Sequence, residues 1–166
     1  AFASGTLGPA FTVQGRVEID REDVTDLAPE NRRLGLLFQD DLLFPHLSVS
    51  ENLAFGLPSA LRGRDRADAV RQALEEAELN GMGKRDPATL SGGQRARVSL
   101  MRTLLSGPRA LLLDEPFGRL DQGLRERVRR FVFAHTKRRN LPTLLVTHDP
   151  ADAAAAGGPV FTLERP

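Results

Sequence analysis

The sequence predicts an α/β fold in which short buried strands alternate with helices. Three largely apolar runs have the length of strands: residues 34–38, 110–113 and 143–147. Runs of this kind are typical of parallel strands that are covered on both faces of a sheet. Each run is followed by polar residues: Gln39, Asp114 with Glu115, and His148. Because chemistry in open α/β sheets lies at the carboxyl ends of the strands, we expect the functional site at that edge.

Composition indicates an ordinary globular domain. The 166 residues suit one domain with its own core, and 40% hydrophobic with 27% charged residues argues against disorder. The net charge of +1 gives no reason to expect nucleic acid or an anionic membrane surface as a partner. The chain has no Cys, which excludes disulfides and thiol catalysis and fits a reducing compartment. No apolar run approaches the roughly 20 residues that a membrane-spanning helix needs.

The first half of the chain predicts one weak strand and two helices. Loose alternation over residues 15–20 favours an edge strand. Ser48, with Glu51 three residues later, forms the pattern of a capping box that opens a short helix. A second helix is predicted over residues 66–78, with Asp65 as its N-cap.

The second half predicts two more helices and a last strand. Val98, Met101 and Leu104 form an apolar stripe at helical spacing, and the helix that carries them ends near residues 107–108. The next helix runs from residue 122 to about residue 139 and is rich in Arg. Its arginine face could bind phosphate, but the near-zero net charge favours a solvated face. A short Ala-rich helix follows residue 149, and a last strand is predicted at residues 160–163.

The stretch from Leu90 to Gln94 has the features of an anion site at a helix start. Ser91 can cap the helix, and Gly92 with Gly93 lets backbone N–H groups approach a ligand. The helix dipole favours negative charge there. A Gly-Gly pair before a helix is more often only a turn, so this stretch alone does not identify a function.

Together with Asp114 and Glu115, this stretch resembles the ATP-binding cassette (ABC) ATPases. Residues 90–94, Leu-Ser-Gly-Gly-Gln, match the family's signature sequence letter for letter. Residues 111–115, Leu-Leu-Leu-Asp-Glu, match its Walker B strand with the catalytic glutamate. Residues 117–121 resemble its D-loop, where Ser usually stands in place of Gly118, and residues 42–52 resemble importer subunits.

The resemblance implies an architecture. The fold is expected to be a P-loop NTPase-like ABC ATPase domain with a small helical subdomain inserted between core strands. The core would comprise residues 1–39 and 93–166, and the helical subdomain would comprise about residues 40–92. The family's P-loop, Gly-x-x-x-x-Gly-Lys-Ser/Thr, has no match, since the first Lys is Lys84. Residues 1–7 resemble the tail of the helix after the P-loop.

The chain is therefore expected to begin just after the P-loop. The first strands of the sheet, and the aromatic residue that stacks on adenine in the family, would be absent as well. Without these parts, the 166 residues alone are expected neither to bind ATP at micromolar levels nor to hydrolyse it. We also expect open apolar edges on the strands that end at Phe38, Leu113 and Val146.

The resemblance also implies roles at the strand ends. Glu115 would be the general base that activates water, and His148 would bind the γ-phosphate and fix Glu115. Asp114 would hold Mg²⁺ through water. Gln39 would contact Mg²⁺ and the attacking water and report the γ-phosphate to the helical region. The implied cofactors are ATP and Mg²⁺.

A second subunit is implied as a partner, because ATPases of this family close head to tail on two ATP molecules. The signature residues would bind the γ-phosphate of the ATP held by the partner: Ser91, Gly92, Gly93 and Gln94. Asp121 would couple the two sites. Transmembrane permease subunits would insert a helix beside residues 39–44, which places the protein peripherally at the cytoplasmic face of the inner (plasma) membrane.

Two other functional hypotheses remain open on the sequence. One is a non-transport ABC ATPase that acts in translation or DNA repair. Repair relatives carry a long coiled coil between the segments that correspond to Gln39 and Leu90, and no sustained heptads lie there. Translation relatives carry two cassettes and a charged linker, and neither is visible. The other hypothesis is a fragment that folds in part and binds nothing.

Overall fold

The computed structural model describes residues 15–162 and has the α/β architecture that the sequence predicts. The strands in this range are β1 (Glu18–Ile19), β2 (Glu22–Asp23), β3 (Leu34–Phe38), β4 (Ala110–Asp114) and β5 (Thr143–Val146). The helices are α1 (Val49–Gly56), α2 (Gly63–Glu76), α3 (Gly92–Leu105), α4 (Gln122–Arg138) and α5 (Pro150–Ala156). Short 3-10 helices lie at Pro29–Arg32 and Pro87–Thr89.

A parallel sheet in the order β3-β4-β5 forms the centre. Its register pairs Phe38 with Asp114 and Asp114 with Val146, so the three strands end level with one another. Within residues 15–162, the edge strands of this sheet are β3 and β5. The expected open edge on the strand that ends at Leu113 is wrong, because β4 is paired on both sides. On β5, Leu144 and Val146 remain 56% and 53% exposed.

The main hydrophobic core lies where α3 packs against the sheet and against its neighbouring helices. Its fully buried side chains include residues of α1, α3, β4 and the loop after β4: Leu53, Leu100, Met101, Leu111, Leu113 and Phe117. The predicted apolar stripe of α3 is confirmed, since Val98, Met101 and Leu104 are buried. Burying a side chain of this size contributes about 1.5–3 kcal/mol. The core therefore fixes the start of α3 relative to the strand ends.

The helix starts test the capping predictions. Ser48 caps α1 through the predicted capping box, in which Oγ of Ser48 accepts from the backbone N–H of Glu51 and the Glu51 carboxylate accepts from that of Ser48. The prediction for α2 is wrong, because this helix begins at Gly63 and Asp65 lies inside its first turn. A carboxylate there still favours the helix through its dipole.

Two predicted strands differ from the structure. Residues 15–20 do not form one edge strand. The chain turns back at Asp20 and Arg21, both with positive φ, and pairs β1 with β2 in a tight hairpin. Arg109 anchors this hairpin by donating to the carbonyl of Ile19 (3.0 Å) and to the carboxylate of Glu22 (2.7 Å). Residues 160–162 form no strand, and Leu163 lies outside the described residues.

Helices α2 and α4 are joined by an ionic cluster around Glu76, which ends α2. Its Oε2 atom accepts from Arg138 (2.6 Å) and from Arg139 (2.9 Å). The buried ring of His135 places Nδ1 3.2 Å from Arg138 and 3.0 Å from Arg139. Nδ1 also lies 3.5 Å from Oε2 of Glu76. A neutral ring accepts at Nδ1 from the arginines, whereas a protonated ring donates there to Glu76.

None of the helices in residues 15–162 combines the length and apolar character needed to cross a lipid bilayer.

The environment of His135 predicts loss of stability in mild acid. Burial, followed by the charges of Arg138 and Arg139, lowers the pKa of His135. As the pH falls below the usual value of about 6.5, the unfolded chain takes up this proton before the folded protein does. The free energy of unfolding should therefore fall from that pH down to the folded-state pKa.

The measurement is urea unfolding at pH 7.5, 6.5 and 5.5 for the wild type, H135Q and, as the control, H46Q at an exposed histidine. The difference in the free energy of unfolding between the wild type and H135Q should shrink as the pH falls from 7.5 to 5.5. H46Q controls for the loss of an exposed histidine. Parallel pH profiles for the wild type and H135Q would contradict the prediction.

Candidate functional site

The three parallel strands bring four of the predicted residues to one edge of the sheet. Gln39 follows β3, Asp114 ends β4 and Glu115 follows it, and His148 lies two residues beyond β5. The backbone N–H of Glu115 donates to the carbonyl of Val146 (2.9 Å), which extends the ladder past the strand. The level strand ends therefore place these side chains as neighbours.

Glu115 has a left-handed backbone, with φ of +48°. This region is sparsely populated by residues other than Gly, and such strain is concentrated at functional sites. The carboxylate of Glu115 contacts the segment that follows β5. Its Oε1 accepts from the backbone N–H of His148 (3.1 Å) and lies 2.7 Å from the Nδ1 of His148. The Glu115 side chain is 29% exposed, whereas the His148 ring is 80% exposed. The carboxylate is thus the main contact that holds an otherwise solvated ring.

The same contact favours the protonated form of the ring. The hydrogen bond to Glu115, and then the negative charge of Glu115, raise the pKa of His148. Protonated His148 donates from Nδ1 and leaves Nε2–H directed away from Glu115 as a second donor. A ring of this kind can bind an anion while it orients the carboxylate.

The loops after β3 and β4 are in contact. A Cβ atom on Gly118 would lie 3.0 Å from Nε2 of Gln39, a separation tighter than most real contacts. The absence of a side chain at residue 118 therefore lets the two loops approach. An ion pair between Asp40 and Arg119 joins the same loops on the outside.

The segment Leu90 to Gln94 caps α3 as predicted. Oγ of Ser91 accepts from the N–H of Gln94 (3.3 Å), and Oε1 of Gln94 accepts from the N–H of Ser91 (2.9 Å). Gly93 is buried, and a Cβ there would lie 2.4 Å from the side chain of Leu124 on α4. Packing of α3 on α4 is therefore a second reason for Gly at this position.

The signature residues are not joined to the strand-end residues. Within residues 15–162, no hydrogen bond or ion pair connects residues 91–94 with Glu115 or His148. Arg95 links this segment to the loop after β3, since it donates to the carbonyl of Leu90 (2.6 Å) and lies 3.4 Å from the carboxylate of Asp41. Asp121 is exposed and caps α4 by accepting from Leu124 (3.0 Å). The predicted residues therefore fall into two groups.

A cleft of about 420 Å³ lies between the loops that carry these groups. Its walls come from the loop after β3, from the start of α3 and from the loop after β4, and include Gln39, Leu43, Gly92, Arg95, Pro116 and Arg119. The cleft is open to solvent beside the strand ends.

The carboxylates fit a magnesium ion that keeps much of its water. Among the described residues, no three His, Asp or Glu side chains cluster closely enough to form an all-protein metal site. Asp114 is exposed, and within residues 15–162 its carboxylate accepts no hydrogen bond, so its oxygens are available. Mg²⁺ usually takes one or two carboxylates and completes its shell with water and phosphate oxygens. An exposed carboxylate such as that of Asp114 could serve in that mode, and Gln39 follows the neighbouring strand at the same edge of the sheet.

Sequence reasoning missed the contacts of the arginines on α4. The solvated face that the composition favours is wrong at Arg125 and Arg129, which pair with Asp149 and Asp152 at the base of α5. Arg138 also pairs with Glu76, but its side chain stays 59% exposed and so agrees with a solvated face. The available signal was spacing. Arg125 and Arg129 lie four residues apart and so share one face of α4, and Asp149 and Asp152 lie three residues apart in a later segment.

Comparison with known proteins places these features in a family. The family model described as ABC transporter matches residues 4–118. The chain is 47% identical over 151 residues to an uncharacterized ABC transporter ATP-binding protein of Escherichia coli, which covers 91% of the chain and 70% of that protein. Its identity to a sulfate/thiosulfate import ATP-binding protein of Agrobacterium fabrum is 42%, over 95% of the chain and 47% of the relative.

A third relative and a solved structure agree with these matches. A thiamine import ATP-binding protein of Cereibacter sphaeroides is 43% identical over 90% of the chain and 64% of its own length. The dimeric structure of an ATP-binding cassette in a post-hydrolysis state, bound to ADP and Pi, has a TM-score of 0.67. That chain is 29% identical, and the match covers 86% of this chain and 66% of that one. The chain thus spans about half the length of its sulfate/thiosulfate relative.

The contact between Glu115 and His148 predicts a specific change in titration. Replacing Glu115 with Gln removes the negative charge and the charged acceptor, so the pKa of His148 should fall toward its usual value. The measurement is an NMR titration of the His148 ring, assigned with H148Q. Glu126→Gln, at an exposed residue of α4, is the control and should leave the His148 titration unchanged. Equal titration in E115Q and the wild type would show that the contact does not form.

Proposed function

Because the chain belongs to the ABC transporter family, we propose that the protein containing it hydrolyses ATP as the energy-coupling subunit of a membrane importer. The single observation that carries this proposal is the Glu115 carboxylate held against His148 at the end of β4. The names of the sulfate/thiosulfate and thiamine relatives favour import. These names give no support to the alternative role in translation or DNA repair.

Glu115 is the proposed general base. Both contacts to His148 use Oε1, and within the described residues Oε2 has no hydrogen-bond partner. Oε2 is therefore free to accept a proton from a water molecule placed at the strand ends. His148 keeps the carboxylate in place and presents its remaining N–H to an anionic oxygen, which is the arrangement that charge stabilisation of phosphoryl transfer requires.

The proposed ligands of Mg²⁺ are Asp114, through water, and Gln39. When bound, the ion neutralises charge on the phosphate oxygens. The exposed and unpaired carboxylate of Asp114 supports the assignment, as does the position of Gln39 against the loop that follows Glu115. In this chain, Asp114 and Gln39 would orient the water molecules and phosphate oxygens around the ion.

The start of α3 is the proposed contact to a nucleotide held by a second subunit. Ser91 is exposed, and the N-terminal N–H groups of this 14-residue helix favour an anion. Within the described residues, no hydrogen bond or ion pair joins residues 91–94 to Glu115, which supports two half-sites that a head-to-tail dimer completes. The dimeric state described for the ADP-bound structural neighbour favours the same arrangement. Asp121, at the start of α4, is the proposed coupling residue between the half-sites.

The proposed permease contact is an exposed aromatic patch after β3, formed by Leu42, Phe44 and Phe55. The rings of Phe44 and Phe55 lie 4.5 Å apart, and Leu42 and Phe55 are exposed. The guanidinium of Arg102 lies 5.2 Å from the Phe44 ring and holds it in place. An exposed apolar surface of this kind can bind the apolar face of a partner helix. Docking there would place the protein peripherally at the cytoplasmic face of the inner membrane.

Replacement of Glu115 with Gln in the full-length protein should abolish turnover while ATP binding is kept. The amide cannot accept the proton, and loss of a general base typically costs about 10²–10⁴-fold in rate. Phosphate release at saturating Mg-ATP measures turnover, and size-exclusion chromatography with Mg-ATP should show a trapped dimer. Glu126→Gln, a matched change outside the site, should turn over normally. Turnover of E115Q near the wild-type rate would remove Glu115 from the role of base.

Changes in the aromatic patch, or at the two carboxylates that precede it, should uncouple transport from hydrolysis. Phe44→Ala, and charge reversal at Asp40 or Asp41, should reduce substrate uptake in reconstituted vesicles, while much of the ATPase activity measured without permease remains. Phe161→Ala removes an exposed ring elsewhere and is the control. Crosslinks from the permease that map to α4 in place of the patch would refute this location.

A further inference from the structure

Two arginines on α4 form ion pairs with the segment that carries His148. Nη1 of Arg125 lies 2.5 Å from Oδ2 of Asp149, the residue after His148. One turn further along, Nη1 of Arg129 lies 3.0 Å from Oδ1 of Asp152. The Asp152 side chain is only 4% exposed, so the second pair is enclosed where α4 meets α5. The two pairs define where residues 147–152 lie relative to α4.

Arg125 also holds the loop that follows Glu115. Its Nε atom donates to the carbonyl of Phe117 (3.1 Å), and its Nη2 atom donates to the carbonyl of Gly118 (3.3 Å). The Phe117 ring is buried in the main core, which anchors this loop. Three donors of one guanidinium thus connect two loops that are otherwise distant in sequence. The planar fork of Arg is suited to such multiple contacts.

The backbone on both sides of His148 is fixed by the same network. The N–H of Asp149 donates to Oγ1 of Thr147 (3.1 Å), and that hydroxyl lies 3.3 Å from Oδ2 of Asp152. Oδ1 of Asp149 caps α5 by accepting from Ala151 (2.8 Å). This hydrogen bond, with the charge of Arg125, lowers the pKa of Asp149, so its carboxylate is ionised at neutral pH. The exposed ring of His148 is therefore held by its contact with Glu115 and by the fixed backbone of residues 147–149.

We propose that Arg125 is a positioning residue that sets His148 against Glu115 by tying Asp149 to the loop of residues 116–121. Gly118, whose carbonyl accepts from Arg125, also lies against the side chain of Gln39. Arg125 therefore contacts the segments after β4 and β5 directly and the segment after β3 through Gly118. The effect of Arg125 on hydrolysis rests on the proposed function. The effect of Arg125 on the contact between His148 and Glu115 is independent of that function.

Arg125→Lys is the variant that separates geometry from charge. Lys keeps the positive charge, but its ammonium cannot reach the Asp149 carboxylate and both carbonyls together. The expected result is a fall in the NMR-measured pKa of His148 toward its usual value, because contact with Glu115 is lost. The charge of Arg125 itself lowers the pKa of His148. Removing charge alone would therefore raise this pKa, which is the opposite sign.

Two controls isolate the effect. Arg127→Lys changes an exposed arginine of the same helix, and Arg129→Lys disturbs the enclosed pair that anchors α5. R127K should leave the His148 pKa unchanged, and R129K should lower the melting temperature more than R125K does. In the E115Q background, R125K should cause no further fall in the His148 pKa, because the contact that it disturbs is already gone.

Asp149→Glu is a second, independent variant. It keeps both charges and lengthens one arm of the pair by a methylene, so it should displace His148 and lower its pKa in the same way. An unchanged His148 pKa in R125K or D149E, with an unchanged melting temperature, overturns the proposal. An equal fall in R125K with and without E115Q also overturns it, since the effect would not pass through Glu115.

ATPase kinetics of the full-length protein separate this inference from the proposed function. If both are correct, R125K lowers kcat about 10- to 100-fold, the range expected for misplacement near 1 Å, with little change in KM for ATP. If His148 responds as expected but the wild type does not hydrolyse ATP, the positioning role stands and the proposed function fails. If the wild type hydrolyses ATP and R125K has a normal kcat and a normal His148 pKa, the positioning role fails.

Discussion

The parallel pairing of β4 between β3 and β5 is the constraint on which the site depends. It levels three strand ends, and the bond from the Glu115 N–H to the Val146 carbonyl carries the ladder one residue further. At that point the left-handed backbone of Glu115 ends the strand and places its carboxylate beside His148. The register therefore places close together two segments whose contacting groups, Glu115 and His148, lie 33 residues apart in the chain.

The strands and helix starts that the sequence predicts are those whose signals lie within a few neighbouring residues. Short apolar runs identify all three strands of the sheet, and side-chain oxygens placed to cap a helix identify the starts of α1 and α3. These signals need no knowledge of the fold, because each is complete within a few residues. The polar residues after the strands are likewise visible as a pattern. The strand order and the roles of these residues are not determined by composition or periodicity alone.

The features that the sequence did not predict depend on partners far along the chain. Arg125 and Arg138 look like ordinary exposed arginines until Asp149 and Glu76 are brought against them. The hairpin of β1 and β2 is held by Arg109, about 90 residues away, so its own weak alternation could not reveal it. Long charged side chains carry this ambiguity because the same residue suits solvent and an ion pair equally well.

Helix α4 makes most of these unpredicted contacts. It also contacts both groups of site residues, those at the start of α3 and those at the strand ends. Its 17 residues span about 25 Å, and a helix of this length is stiff. Near its start, Leu124 packs on Gly93 of α3 and Arg125 holds the loops beside Glu115 and His148. At its far end, His135 and its neighbouring arginines hold Glu76 of α2. Any displacement of α2 relative to the sheet must therefore break the Glu76 cluster or move the helix that positions His148.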